Sequence, residues 1–431
     1  KRVCGQAPDN LPLRDGAHIA CANACRIDWE SVCPKEVADE IYILGNPPYL
    51  GKSEQNSGHK ADMAHVFYGI KGYKNLDLIA CWFFQASKYV DQDHIKAAFV
   101  TTNSICQGEQ VSLLWPHILG RGLEIGFAHQ SFKWTNNAKG NAGVTCAIVG
   151  LRTKCENEVV LINNGLARIV KVINPYLATG ADVIVYKRSQ SLSDLPKMSY
   201  GSKPVDGGNL ILSEAERREL ISDHPEAITF IKRFIGSDEF IKGRIRYCIW
   251  IEHTNLRQAL DIPPIKSRVE RVRDMRLASK KKATYEDANI PHQFGEPRFK
   301  NVESIIVPET SSERRFYIPT GYLDADTVIS NSGYCIANAT PWSFGILTSR
   351  MKMTWVRAVA GRLEERLRYS AGLCYNTFPV PNLRETQKQE LTGHVMNVLQ
   401  ERENHPEKTM AQLYDPDKMP NGLREAHHQL D

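Results

Sequence analysis

The segment Asn46-Pro47-Pro48-Tyr49 combines residue types that suit methyl transfer to an amino group conjugated to a ring. The lone pair of such a nitrogen is delocalised into the ring, which makes the nitrogen a weak nucleophile. Two acceptors that bind both amino protons, the Asn46 side-chain oxygen and the Pro47 carbonyl, draw the nitrogen towards tetrahedral geometry. Two consecutive prolines form a stiff wall without an N–H donor, and Tyr49 offers a face for a flipped base. We therefore predict a catalytic loop of these four residues.

The residues before this loop predict a buried strand. Ile41–Leu44 is a short apolar run that ends at Gly45 and the loop, as expected of a strand stopped by turn residues. Asn46 precedes a proline and is therefore driven towards extended geometry, and ligands in α/β sheets lie at the carboxyl ends of strands. A plain turn is the alternative, because asparagine, proline and glycine also cluster in turns.

The first 154 residues alternate short apolar runs with stretches of helical periodicity, which predicts an α/β sheet with helices on both faces. A broad apolar face predicts a helix over Asn75–Val90. The further predicted strands are His18–Ala22, Ala97–Thr101, Leu123–Ala128 and Val144–Leu151.

After Lys154 turn clusters become frequent, which indicates a different, mixed domain. Ile245–Ile251 is predicted as a strand. One helix is predicted to begin at Thr340-Pro341 and to carry Trp355, because proline is favoured at the first helical position. A second helix is predicted over Glu385–Glu403.

Composition sets wide bounds on function. A length of 431 residues predicts two or three domains, and a net charge of +5 permits nucleic-acid binding without arguing for it. The eleven cysteines are dispersed and contain no Cys-x-x-Cys pair, so reduced thiols are favoured over zinc and we predict no metal site. No apolar stretch is long enough to span a bilayer, and we predict no membrane partner.

Segments spread over the chain form a more specific pattern than the tetrapeptide alone. They are ANACRIDW (22–29), ILGNPPYLG (43–51), TTNSICQGEQV (101–111), SFKWTNNAKGNAGVTCAIVGL (131–151), VDGGNLILS (205–213), SERRFYIPTGYL (312–323) and AGRLEERLRYSAGLCYNTFPVP (360–381). Together they resemble the type IIL, MmeI-like restriction–modification polypeptides. The NPPY segment itself resembles motif IV of amino-methyltransferases that use S-adenosylmethionine (SAM).

The resemblance implies a DNA adenine-N6 methyltransferase that acts on double-stranded DNA with SAM, in a cytoplasm of bacterial type. It implies an incomplete Rossmann-like class I methyltransferase sheet in residues 1–154, a mixed α+β target-recognition domain in 155–384 and a helical segment in 385–431. In that family a nuclease, a helical spacer and a glycine-rich SAM loop precede this region. Nothing in residues 1–21 resembles that loop, so we expect the chain to begin inside the methyltransferase domain. The oligomeric state is not indicated.

The resemblance also assigns roles to residues outside the catalytic loop. It implies that Asn23 and Asp77 bind the cofactor and that Phe132 and Trp134 stack on the flipped base. It places Lys133 against phosphate. The alternatives are a capping asparagine for Asn23, core packing for the aromatic residues and a solvated side chain for the lysine.

Sequence-specific reading needs directed hydrogen bonds, which arginine gives to guanine and glutamate accepts from cytosine. Glu364 and Arg366 offer both types, and in an extended segment they lie on one side. In a helix a surface salt bridge is the alternative. Arg314 and Arg315, beside aromatic residues, are predicted phosphate contacts. The basic stretch containing Arg276 is a further candidate, with a solvated helix face as the alternative.

Two other functions fit parts of the sequence. One is a DNA-recognition module without turnover, favoured by the missing glycine-rich loop. The other is a methyltransferase for protein glutamine, since those enzymes use a similar NPPY loop. The length of the second half argues against the latter, because a small amide substrate needs no recognition domain of this size.

Overall fold

The computed structural model describes residues 18–36, 39–134, 144–363 and 365–431. The described chain forms two compact units. The first contains residues up to Cys106 together with Leu113–Ile184, and the second contains Gln107–Ser112 and Val185–Asp431. No helix in the described ranges is both long and apolar enough to cross a bilayer.

A six-stranded sheet organises the first unit, in the order β1-β2-β4-β3-β5-β6. Its strands are β1 (Ile41–Gly45), β2 (Ile95–Thr102), β3 (Leu123–Trp134), β4 (Val144–Thr153), β5 (Val159–Asn163) and β6 (Leu166–Val170). β1 runs parallel to β2, and β3 parallel to β5, whereas β4 is antiparallel to both of its neighbours. The α/β class predicted for this half is therefore confirmed, as are the strands predicted from IYIL, AAFVT and the paired runs after them. The burial predicted for IYIL is wrong, because β1 is the end strand of the described sheet and its Tyr42 and Leu44 are 55% and 74% exposed.

Three longer helices accompany the sheet: α1 (Ser57–Val66), α2 (Ala80–Tyr89) and α3 (Gly108–Leu119). Buried aromatic rings connect these helices to the sheet. Phe83 of α2 lies edge-on to Phe99 of β2, with ring centroids 5.2 Å apart. Trp115 of α3 also contacts Phe83 and donates its indole N–H to the Ile105 carbonyl at 2.7 Å. The end of β2 is therefore fixed by the aromatic core.

Two predictions for the first unit need correction. The predicted strand His18–Ala22 is wrong: these residues are exposed and have no strand partner in the described chain, so an extended run there has no ladder to satisfy its backbone. The predicted helix from Asn75 begins only at Ala80. The residues before it bond to the segment after β1 instead, for example Leu78 N–H to the Leu50 carbonyl at 3.0 Å.

The second unit contains three small sheets, ordered β14-β9-β10-β8, β13-β11-β15-β7 and β12-β17-β16. Its strands are β7 (Met198–Tyr200), β8 (Ile211–Leu212), β9 (Ile231–Ile235), β10 (Tyr247–Ile249), β11 (Ser304–Pro308), β12 (Thr310–Ser311), β13 (Gly321–Leu323), β14 (Val328–Ile329), β15 (Gly333–Ala337), β16 (Gly361–Leu363) and β17 (Arg366–Arg368). Its helices are α4 (Glu214–Asp223), α5 (Ser237–Lys242), α6 (Leu256–Leu260), α7 (Pro263–Leu277), α8 (Lys282–Glu286), α9 (Pro341–Thr348), α10 (Arg350–Val359), α11 (Glu385–Glu403), α12 (Met410–Leu413) and α13 (Asn421–Leu430). The mixed α+β prediction is confirmed.

The predicted helix from Pro341 is divided in two at Ser349. That residue is extended, and its hydroxyl accepts the Lys352 N–H, so it caps α10 rather than continuing α9. The Lys352 side chain is fully buried, donates to the Cys374 carbonyl at 2.5 Å and lies 4.4 Å from the Phe378 ring centroid. A buried lysine thus connects α10 to the segment that follows β17.

Candidate functional site

The NPPY segment leaves β1 at its carboxyl end, where Gly45 lies opposite Phe99 of β2. Asn46 is exposed and Pro47 is buried. Among the described residues, none donates a hydrogen bond to the Asn46 side chain or to the Pro47 carbonyl. The two acceptors singled out from the sequence therefore lie next to each other, and no described residue donates to them.

Tyr49 connects the loop to the far side of the sheet. Its side chain is half-buried, and the Cys146 thiol on β4 lies close enough to the Tyr49 hydroxyl to affect its pKa. Burial, and secondly this thiol, raise the pKa of Tyr49, so the phenol is the stable form at neutral pH. Cys146 in turn lies directly opposite Phe132 of β3. The structure thus brings Phe132 to the catalytic loop, although 83 positions of sequence separate Phe132 from Tyr49 (132 minus 49).

The other residues predicted in this hairpin occupy its end. Lys133 is exposed and lies opposite Thr145, and Trp134 ends β3 opposite Val144. The Phe132 ring packs edge-on against His129 at 4.8 Å. The base-stacking and phosphate roles predicted for Phe132, Trp134 and Lys133 stay predictions.

Asp77 holds the end of the catalytic loop. It is 5% exposed, its Oδ1 accepts the Leu50 N–H at 2.9 Å, and its Oδ2 accepts the Ser104 hydroxyl at 3.3 Å. Gln55 supports the same point, because its amide donates to the Leu50 and Leu76 carbonyls, each at 3.0 Å. Asp77 therefore positions the loop, and its predicted contact with a cofactor stays a prediction.

Replacing Asp77 separates its hydrogen bonds from its charge. Asp77→Ala leaves the Leu50 N–H and the buried Ile79 N–H without their acceptor, and we expect a loss of about 1–3 kcal/mol in the free energy of unfolding. Asp77→Asn retains an acceptor for Leu50 and offers a donor to Ser104, so we expect it to unfold near the wild-type temperature. Thermal unfolding of the three proteins measures this, and equal destabilisation by both changes would contradict the assignment.

The same pair of proteins gives a pH test. Burial raises the pKa of Asp77 above the ordinary aspartate value of 3.8, so the folded state holds this proton more tightly than the unfolded state. The contribution of Asp77 to stability is therefore full below pH 3.8 and declines as the pH rises through the folded pKa. Relative to wild type, Asp77→Asn should gain stability over that rise. Unfolding curves at pH 4 to 7 test the sign.

Asn23 has a local structural role. Its Oδ1 accepts the Cys25 N–H at 2.9 Å, and its amide donates to both oxygens of Asp62 on α1, at 3.1 Å each. Arg26 bonds the same carboxylate at 2.7 Å. The capping alternative therefore describes Asn23 in the described chain, and its contact with a cofactor stays a prediction.

Sequence reasoning missed three polar residues at this site. Asn103 and Ser104 follow β2 directly, and Ser131 lies one position before Phe132. The signal for Asn103 and Ser104 was present, since polar residues immediately after a buried strand obey the same strand-end rule that selected the NPPY loop. Ser131 lies within β3 and carried no such signal.

In the second unit, Arg366 lies in a β-hairpin. β16 and β17 pair antiparallel with Leu363 opposite Arg366, so the helical alternative for Arg366 is excluded. Glu364 lies outside the described residues. The predicted alternation of Glu364 with Arg366 therefore stays a prediction.

The predicted arginines of the SERRF segment adjoin this hairpin. β12 pairs with β17, which places Ser311 opposite Leu367. Arg314 is exposed and forms an ion pair with Asp417, and Arg315 donates to the Ser311 hydroxyl at 3.2 Å. Arg366 therefore lies on a three-stranded sheet, which we call the recognition sheet (β12, β16 and β17), and Arg314 and Arg315 lie in the segment that follows its strand β12.

One phosphate candidate is incorrect. Arg276 is fully buried and donates its guanidinium hydrogens to backbone carbonyls, among them those of Val205, at 3.0 Å, and Gln293, at 2.7 Å. Its planar guanidinium forms hydrogen bonds with the segments before and after α7. No side-chain atom of Arg276 is therefore available to DNA.

Comparisons with known proteins agree with this division. The chain matches three family models: the DNA-methyltransferase domain of MmeI over residues 1–163, the target recognition domain of MmeI over 179–382 and the C-terminal domain of MmeI over 383–431. It is 45% identical over 424 residues to DNA methyltransferase A of Bacillus subtilis (strain 168), covering 98% of this chain and 48% of that relative. The solved structure of the type IIL restriction–modification enzyme MmeI in complex with DNA superposes with a TM-score of 0.90, at 42% identity, over 98% of this chain and 57% of that one.

The sheet, its NPPY loop and the separate recognition unit define a protein of the class that joins a DNA-methyltransferase domain to a target-recognition domain. The chain spans about half the length of the curated relative it matches. Within that class it belongs to the MmeI-like, type IIL restriction–modification polypeptides.

Proposed function

We propose that this chain carries the methyl-acceptor site and the sequence-reading domain of a site-specific DNA adenine-N6 methyltransferase. The observation that carries the proposal is the pair of unused acceptors, the Asn46 side chain and the Pro47 carbonyl, at the carboxyl end of β1. Adenine N6 has two hydrogens that such a pair of acceptors can bind. Cytosine N4 has two as well, and the resemblance of the chain to the MmeI-like enzymes favours adenine. Its family membership supports DNA as the substrate.

The residues of the loop perform distinct tasks in this mechanism. Asn46 Oδ1 and the Pro47 carbonyl accept the two N6 hydrogens, which localises the nitrogen lone pair for a direct displacement. Tyr49 lies close to Cys146. Tyr49 and Phe132 bind the faces or edge of the extruded base, which offsets part of the free-energy cost of unstacking it. The gain in rate comes from orientation of the nitrogen and needs no covalent bond to the protein.

The methyl donor proposed is SAM, which supplies an electrophilic methyl group on a sulfonium. The donor set of the described residues fits its cationic part, because Asp77 places a buried carboxylate at the end of the catalytic loop. Asn23, exposed and bonded to Asp62, offers the remaining lone pair of Oδ1. In the whole polypeptide, Asp77 and Asn23 would hold SAM from the side of the loop.

The recognition sheet is proposed to bind the duplex. Arg366 and Glu364 would read one base pair, and Arg314, Arg315 and, from the first unit, Lys133 would contact phosphates, which set position rather than sequence. Three arginines on adjacent β-strands and loops concentrate positive charge at one place. The net charge of +5 describes only the chain as a whole.

Arg314→Ala tests a phosphate contact. Each phosphate neutralised contributes about 1 to the slope of log affinity against log salt concentration, so we expect the slope to fall by about 1 and affinity to weaken on every sequence. Asp417→Ala is the matched control, because it removes the partner of Arg314 while keeping the arginine. An unchanged salt slope in Arg314→Ala would refute the proposed contact between Arg314 and a phosphate.

Isothermal titration tests the cofactor assignment. The complete gene product should bind SAM saturably, and Asp77→Asn should weaken that binding without lowering the unfolding temperature. Duplex DNA should then bind with strong salt dependence. DNA binding without any SAM binding would favour a recognition module that has no turnover, and methylation of protein glutamine instead of DNA would refute the proposal.

A further inference from the structure

Two consecutive residues after β2 connect the ends of three strands. Asn103 donates its side-chain amide to the Ser131 hydroxyl at 2.6 Å, which reaches β3. Ser104 bonds Asp77, which accepts the Leu50 N–H after β1. A continuous hydrogen-bonded path therefore runs from the catalytic loop to the strand that carries Phe132.

The β3 end of this path is an irregular strand. His129 pairs with Ile148 and Phe132 with Cys146, so three steps on β3 oppose two on β4. The extra residue forms a β-bulge, a feature that re-aims the side chains beside it. Ser131 lies within this bulge, so the bond from Asn103 fixes the backbone that immediately precedes the Phe132 ring.

The burial of Asn103 carries a cost that a purely structural residue need not have. Its side chain is 8% exposed, and its Oδ1 is buried without a hydrogen-bond partner among the described residues. An unsatisfied buried polar atom in a native protein calls for a reason other than stability. At the end of β2 an apolar side chain would fill the space, whereas only a polar side chain can form a hydrogen bond with the Ser131 hydroxyl.

We propose that Asn103 is a positioning residue for methyl transfer: through Ser131 it sets the separation between Phe132 and the catalytic loop. This inference rests on the proposed function and deepens it. The loop side is positioned by Asp77, and Tyr49 lies close to Cys146, the residue opposite Phe132. In the proposed mechanism the extruded adenine lies between these two sides.

The rate should depend on this bond more steeply than binding does, because a displacement of about 1 Å costs about 10²-fold in rate. In the complete gene product, Asn103→Ala and Ser131→Ala should each lower kcat about 10- to 100-fold with KM for DNA nearly unchanged. The double variant should be no slower than the slower single variant, since both changes break one bond.

Three controls separate positioning from folding. Ser131 is exposed, so Ser131→Thr keeps the hydroxyl with room for the methyl group and should retain most of kcat. Gln92→Ala removes an exposed amide at the opposite end of β2 and should change nothing. Once methylated sites are mapped, 2-aminopurine at the target adenine should show altered emission with Asn103→Ala, because Phe132 moves relative to the base.

Unchanged kcat in Asn103→Ala, with wild type active on adenine, would overturn the inference. So would a fall in kcat matched by equal losses of DNA affinity and unfolding temperature, since that pattern describes a structural residue. If the wild-type polypeptide transfers no methyl group to adenine, the proposed function fails first, and this inference falls with it.

Discussion

Replacing Asn46 with alanine should lower methylation by at least about 10²- to 10³-fold, the usual cost of removing one preorganised hydrogen-bonding group from a reacting centre. Asn46 is exposed and bonds no described residue, so its removal leaves no buried group unsatisfied. Folding and DNA binding should therefore stay near wild type. Single-turnover methylation and DNA binding, measured on the complete gene product, separate the two effects.

Gln92→Ala serves as the matched control for Asn46→Ala. It truncates an exposed amide of the same unit at the amino end of β2, away from the strand ends that carry the site. It should methylate at the wild-type rate. Methylation retained by Asn46→Ala would remove Asn46 from the acceptor role, and loss of DNA affinity along with activity would indicate misfolding instead.

Exchanging Glu364 and Arg366 together should change the recognised base at one position. Glutamate accepts from cytosine N4 and arginine donates to guanine, so the Glu364→Lys, Arg366→Asp protein should prefer the same base pair with its strands reversed. A correct bidentate contact discriminates by about 1–3 kcal/mol per base. Mapping of methylated sites in DNA from an unmethylated source measures the change.

The flanking arginines provide the contrast for that experiment. Arg314 follows β12 of the recognition sheet and is proposed to touch phosphate, so Arg314→Ala should weaken binding to all sequences alike. An unchanged target sequence in the exchanged protein would refute the specificity role of the pair. A change at several positions would indicate that the hairpin between β16 and β17 itself has been displaced.

The local elements of the site could be predicted from sequence because each depends on neighbouring residues. IYIL predicts β1, and the glycine and prolines after it predict its end; the structure places both there. The helix Glu385–Glu403 is confirmed with the predicted bounds. In each case the spacing of apolar residues and the residues that end the element agree, and tertiary contacts reinforce the local preference.

The failures have a common physical origin in contacts between distant segments. Ala80 begins α2 late because Asp77 and Leu78 bond to Leu50, 27 and 28 positions before them (77 minus 50 and 78 minus 50). Arg276 is drawn into the interior by carbonyls of separate loops. No local window contains these partners, so periodicity alone could not reveal them.

The meeting of the catalytic loop with Phe132 illustrates the same limit. Tyr49 lies close to Cys146, and Phe132 lies opposite Cys146 on the neighbouring strand. The sequence pattern indicates only that Cys146 is an apolar core residue of β4. The strand order that places β4 beside β2, and β3 beyond it, decides the contact. Topology therefore had to be known before the two sides of the site could be assigned to one base.

The most direct test of the central claim is nucleoside mass spectrometry of duplex DNA treated with the complete gene product and methyl-labelled SAM. The account predicts label in N6-methyldeoxyadenosine at a defined sequence, absent with Asn46→Ala. Label in cytosine, in protein or in no product at all would contradict it.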